Sequence, residues 1–162
     1  MLERLASAIE RLSTFGGWLA AGAIAGILVL VTVEMALRAV LGVSTQVSDE
    51  MCGYLNVSAI FFGLAMALRD GAYVRVELIY NRLTGTAAQA VRWLIVLASL
   101  AYMLVAIVIM WRYVGYNFRT GIASTSFSQT PLWIPQVPIL VGSTLLVLQL
   151  AAFLLRGGRK VP

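Results

Sequence analysis

The sequence contains no histidine and a single cysteine, Cys52. Without histidine the chain lacks the usual haem ligand, the usual zinc ligand and the usual general base. One cysteine excludes an internal disulfide and a thiolate metal cluster. Charge is scarce as well. Only 12% of the 162 residues are charged, against about 25% in an ordinary soluble domain. The acidic residues are Glu3, Glu10, Glu34, Asp49, Glu50, Asp70 and Glu77. Only Glu34 lies well inside an apolar run, so no pair of intramembrane carboxylates is available for a proton relay or an ion site. P-loop, dinucleotide and nucleophile motifs are absent from the sequence too.

What fills the chain instead is apolar sequence: 60% hydrophobic residues and a mean hydropathy of +0.90. This composition makes it an integral membrane protein, with no room for a separate soluble domain. The net charge of +5 would suggest nucleic acid in a soluble chain. Here the arginines punctuate apolar runs, where they set topology and meet anionic lipid. No nucleic-acid partner is expected.

The widest polar interruption is the stretch from Arg69 to Arg82, which separates two apolar halves. Each half reads as a membrane hairpin. The expected architecture is all-α: a single membrane domain over 1–162, with four transmembrane helices and short interfacial amphipathic helices. The spans are expected at about 16–41, 49–68, 87–116 and 131–155, with a connection over 69–86. Leu2, Leu5, Ile9 and Leu12 recur at helical spacing, which predicts an amphipathic interfacial helix over 1–15; a solvated terminus is the competing reading. Val76, Ile79, Tyr80 and Leu83 predict a second such helix within the connection.

Inside the first span, Glu34 and Arg38 share a face at i, i+4 spacing. They read either as a self-satisfied pair, with Arg38 turning to the outer interface, or as a polar contact with a partner helix or an ion path. Ser48-Asp49-Glu50 carries the signature of a helix start, because carboxylates there complement the helix dipole. Gly53, Ala59, Gly63, Ala65 and Ala67 favour close helix packing, and Gly22-x-x-x-Gly26 is a weak match to a packing motif. Thr86 suits an N-cap for the third span. Asn117 to Thr130 reads as a polar loop, and Pro131 as the opening of the fourth span. Pro138 is expected to kink or loosen that span, and Gln149 is its lone polar residue.

With spans drawn from hydropathy, Arg4, Arg11, Arg69, Arg75, Arg82, Arg92, Arg156, Arg159 and Lys160 fall on one side. Arg112 and Arg119 fall on the other, and Arg38 lies in the first span. The positive-inside rule then places both termini and the 69–86 connection in the cytoplasm. Four spans with so little internal polarity and no transporter-like repeat fit an accessory or scaffold subunit better than a self-sufficient transporter.

In order along the chain come Arg38 at the end of the first span, Ser48-Asp49-Glu50, Gly63 through Arg69-Asp70-Gly71-Ala72-Tyr73-Val74-Arg75-Val76-Glu77, Leu83, and Pro131-x-Trp133 with Pro138 and Gly142. This ordered set resembles the small membrane subunit of tripartite ATP-independent periplasmic (TRAP) transporters, the DctQ family. The central stretch follows the family pattern G-x-x-x-A-L-R-x-G-x-H-x-x-V-D, with Tyr73 in place of His and Glu77 in place of Asp.

The resemblance implies a heteromeric transporter in the bacterial inner membrane. A large multi-span permease would carry an organic acid anion, coupled to an ion gradient that is commonly sodium. A periplasmic binding protein would deliver the substrate. The present chain would be a scaffold with no enzymatic activity and no cofactor. Glu34 and Arg38 would then stabilise the subunit interface or the outer end of the first span. Asp49 and Glu50 would cap the second span or face the binding protein, and Trp133 would anchor the fourth. Arg69, Arg75, Arg82 and Arg92 would set topology and meet lipid phosphates. The rival readings are a homo-oligomeric channel or exporter and the membrane anchor of an enzyme complex.

Overall fold

The computed structural model describes residues 2–70 and 86–155. Four helices make up the described chain: α1 Leu2–Leu41, α2 Ser48–Arg69, α3 Thr86–Thr120 and α4 Trp133–Leu155. Each contains a stretch long and apolar enough to cross a membrane. At 1.5 Å per residue, α2 and α4 run about 33 and 34 Å, close to the roughly 30 Å hydrocarbon core. By the same rise α1 and α3 run about 60 and 52 Å, so they overshoot the core or tilt through it.

Three expectations are corrected here. Residues 2–15 are not a separate interfacial helix but the first part of α1, which continues past Gly16 and Gly17 without interruption. Asn117–Thr120, expected in a loop, form the last turn of α3, since nothing breaks the helix before Gly121. The fourth helix starts at Trp133 rather than Pro131. Pro131 instead pairs with Ala123 in an isolated antiparallel bridge. The flanking bonds, Ser124 N–H to Thr130 O at 2.8 Å and Leu132 N–H to Ile122 O at 3.0 Å, use no proline N–H. This is why the ring is tolerated there. Pro135 falls in the first turn of α4, where its missing donor costs nothing, and Pro138 lies within the helix. The amphipathic segment expected over 76–83 lies outside the described residues.

Both α1 and α3 stop on a glycine in the left-handed region. Gly42 (φ 66°) donates its N–H to Arg38 O at 3.2 Å, and Gly121 (φ 64°) to Asn117 O at 3.0 Å. Each bond satisfies a carbonyl that the helix end would leave free.

Helix α1 packs mainly on α2 and also on α4, and α2 packs on α4. Helix α3 makes its substantial packing with α4 alone among the described residues. The buried apolar side chains are mostly alanines: Ala6, Ala20, Ala23, Ala59, Ala65 and Ala152, with Leu146 and Leu150. Lipid tails are as apolar as leucine, so helices in a bilayer gain by approaching closely over small residues. The closest crossings lie at glycines. A Cβ on Gly142 would stand 2.5 Å from the Phe61 carbonyl carbon, and one on Gly16 would stand 2.9 Å from the Phe62 oxygen. Gly63 faces the Ala20 methyl. The Gly22–Gly26 motif is not a backbone contact, because Gly22 faces open space and Gly26 meets only the Leu55 side chain.

Candidate functional site

Apart from Ser143, midway along α4, the buried polar side chains gather at the two ends of the helices. One end carries the 42–47 and 121–132 connections and is called the loop end here. The other is where α1 begins and α4 ends.

At the loop end, Glu34 is the one buried charged residue among the described side chains. Five donors converge on its carboxylate. Oε1 accepts from Arg38 Nε at 2.8 Å and Ser44 Oγ at 2.6 Å. Oε2 accepts from the Thr45 hydroxyl at 2.6 Å, the Thr45 backbone N–H at 3.2 Å and Ser48 Oγ at 3.0 Å. A single side chain thereby joins α1, the 42–47 connection and the first residue of α2. Both readings of Glu34 hold at once: it pairs with Arg38, and it reaches another helix. Arg38 is largely exposed and also donates to Ser44 Oγ at 3.1 Å.

Ser48 opens α2, but its hydroxyl is committed to Glu34, and no side chain caps the helix at Val47. Asp49 and Glu50 occupy the first turn, as the helix dipole favours. Asp49 is exposed. Glu50 accepts hydrogen bonds from Tyr54, one turn on, and from Ser128 in the second connection. Glu50 therefore does for the 121–132 connection what Glu34 does for the 42–47 connection. Two further contacts close this end. Asn117 Nδ2 donates to Gln136 Oε1 at 3.0 Å, and the rings of Phe118 and Trp133 meet edge to face at 5.5 Å. Trp133 is thus braced by α3 at the first residue of α4.

At the opposite end, Ser13 Oγ donates to Gln149 Oε1 at 2.9 Å, tying α1 to α4. Arg69 reaches the Thr14 hydroxyl and also pairs with Asp70 at 2.7 Å. Arg69 therefore holds α2 to α1 as well as contributing charge. Arg75 and Arg82 lie outside the described residues. Arg92 falls in α3, and its side chain lies outside the described set as well. No group of three His, Cys, Asp or Glu gathers among the described residues.

The sequence reading missed the partners rather than the carboxylates. Ser44, Thr45 and Ser128 carried no individual signal. The visible clue was local density: hydroxyl residues cluster in both connections.

A comparison with family models decides the identity. Residues 27–160 match the model of "Tripartite ATP-independent periplasmic transporters, DctQ component". The chain belongs to the DctQ family. It is the small membrane component of a TRAP transporter, located in the inner membrane. The DctQ component works with a large permease and a periplasmic binding protein. Neither the channel reading nor the enzyme-anchor reading has support. No curated protein matches the chain.

Proposed function

We propose that this DctQ chain is a fixed scaffold for the large permease, with both termini cytoplasmic and no transport path of its own. The observation that carries the reading is the isolation of α3, which among the described residues packs substantially only on α4. Along one of its exposed flanks, Leu97, Leu104, Trp111 and Phe118 recur every seven residues, all well exposed. Lipid alone can accommodate exposed apolar side chains, so exposure by itself is neutral. The seven-residue spacing is what supports a protein partner, because it makes a straight seam for a helix crossing at about 20°.

The charge asymmetry supports the orientation. In that orientation the loop end is periplasmic, and its two connections, held by Glu34 and Glu50, form the surface nearest the binding protein. Family membership supports an organic acid anion as the cargo and sodium as the coupling ion. Those are properties of the permease partner, not of residues in this chain.

The test is purification of the tagged chain from native membranes in mild detergent, with a photo-reactive residue at Leu104. The expected result is a stoichiometric multi-span partner, crosslinked through position 104. A chain that runs alone, and gives transport by itself in liposomes, would overturn the scaffold reading.

A further inference from the structure

The positive-inside rule accounts for nine of the twelve basic residues, and Glu34 accounts for Arg38. Arg112 and Arg119 remain. Both lie at the loop end of α3, on the side where cations are disfavoured for topology. Both are exposed, and among the described residues neither takes part in an ion pair. Arg119, in the last turn, complements the helix dipole. Arg112 lies too far from that end for the dipole to explain it.

The placement of Arg112 is informative. Phe118 is level with Trp133, the first residue of α4. Arg112 is six residues deeper, about 9 Å at the helical rise. Its long side chain can turn back toward the headgroups, as arginines near helix ends do.

Arg112, Tyr116 and Arg119 fall at i, i+4 and i+7 and so share one face. Val108 and Val105 continue the same stripe toward the middle of the membrane, and both are exposed. The face is thus apolar at depth, then phenolic and twice cationic at the rim. It lies opposite the side on which the buried Asn117 reaches Gln136 of α4, and beside the seam proposed for the permease. The profile is that of a phospholipid: acyl chain on the valines, anionic phosphate on the arginines, and a tyrosine hydroxyl at headgroup level.

We propose that Arg112, Tyr116 and Arg119 form a binding site for the headgroup of an anionic phospholipid in the loop-side leaflet, with its acyl chain along Val108 and Val105. A lipid held here occupies the boundary of the subunit and does not depend on the permease contact.

The test uses the full chain in vesicles with Trp111 as the sole tryptophan, the others changed to Phe. Trp111 is exposed and adjacent to Arg112. Its quenching by brominated phosphatidylglycerol is compared with that by brominated phosphatidylcholine of the same acyl chains. Preferential quenching by the anionic lipid is expected, with a selectivity of about fivefold per arginine. Arg112→Gln with Arg119→Gln brings the ratio close to one, whereas the paired Lys variants keep a preference. Equal quenching by both lipids in the unsubstituted stripe would overturn the site, with no variant required. So would a double Gln variant that keeps its lipid preference. Loss of the permease from that variant, without any lipid selectivity at Trp111, would instead assign the arginines to an acidic protein partner.

Discussion

Ser13 and Gln149 stand 136 positions apart in the chain, yet the serine hydroxyl donates to the glutamine carbonyl at 2.9 Å. Both side chains are buried, and the bond joins the first helix to the last. The same serine also donates to Ile9 O at 3.0 Å, so its hydroxyl is shared between helix and partner. Interhelical hydrogen bonds in membranes average about 0.6 kcal/mol and reach roughly 1.7 kcal/mol. Ser13→Ala and Gln149→Leu are each expected to destabilise within that range. The double variant should cost less than the two singles added together. A thermal-unfolding double-mutant cycle in detergent measures the coupling, and strict additivity would remove the bond from the account.

Glu34 and Arg38 form one ion pair but are expected to respond unequally. Glu34 serves five donors, whereas Arg38 is largely exposed and its loss leaves four of those donors in place. Glu34→Gln puts an amide donor among donors. It should lower the melting temperature more than Arg38→Gln, and should make the 42–47 connection sensitive to protease. Equal effects of the two substitutions would mean that the pair, rather than the hub, carries the stability.

Glycines that look alike in sequence are expected to separate sharply. Gly142→Ala forces a methyl against the Phe61 backbone, whereas Gly53→Ala meets nothing within 4 Å. Overpacking of this kind costs typically about 1–3 kcal/mol. Gly53→Ala should be neutral or slightly stabilising, because alanine is the better helix former. Unfolding of the two variants in the same detergent tests the contrast, and a neutral Gly142→Ala would show that α2 and α4 can move apart freely.

Topology can be read with thiols. In a Cys52→Ser background, Ser126→Cys should react with an impermeant maleimide in spheroplasts, while Ser7→Cys should react only after lysis. The reverse pattern would invert the proposed orientation.

The four crossings were legible because hydropathy over about 20 residues is a strong signal, and little else competes with it in this chain. The failures lie at element ends. At 1–15 the apolar repeat predicted a helix ending at the membrane surface, but periodicity does not show where a helix bends. The helix runs through Gly16 and Gly17, whose missing side chains serve the crossing with Phe62 and Met66. Pro131 suggested a helix start because proline suits a first turn. The bridge to Ala123 uses the same missing N–H for a different purpose. At the site, Glu34 was conspicuous as a charge in an apolar run. Its partners Ser44 and Thr45 follow from the fold-back of the connection, which no local pattern encodes.

Among the described residues α3 packs substantially on α4 alone, and this bears on how the chain is made. A membrane protein emerges one span at a time. The hairpin of α1 and α2 has its own fastenings, through Glu34 with Ser48 and Thr14 with Arg69, so it can settle while the ribosome is still at work. Helix α3 then enters the bilayer before α4, its one substantial packing partner among the described residues. Only when α4 follows do Gln136, Trp133 and Gln149 become available, and that last segment docks on α1, α2 and α3 together. The bundle therefore becomes whole only once α4 has joined it, and a chain cut short after α3 would leave that helix adrift in lipid.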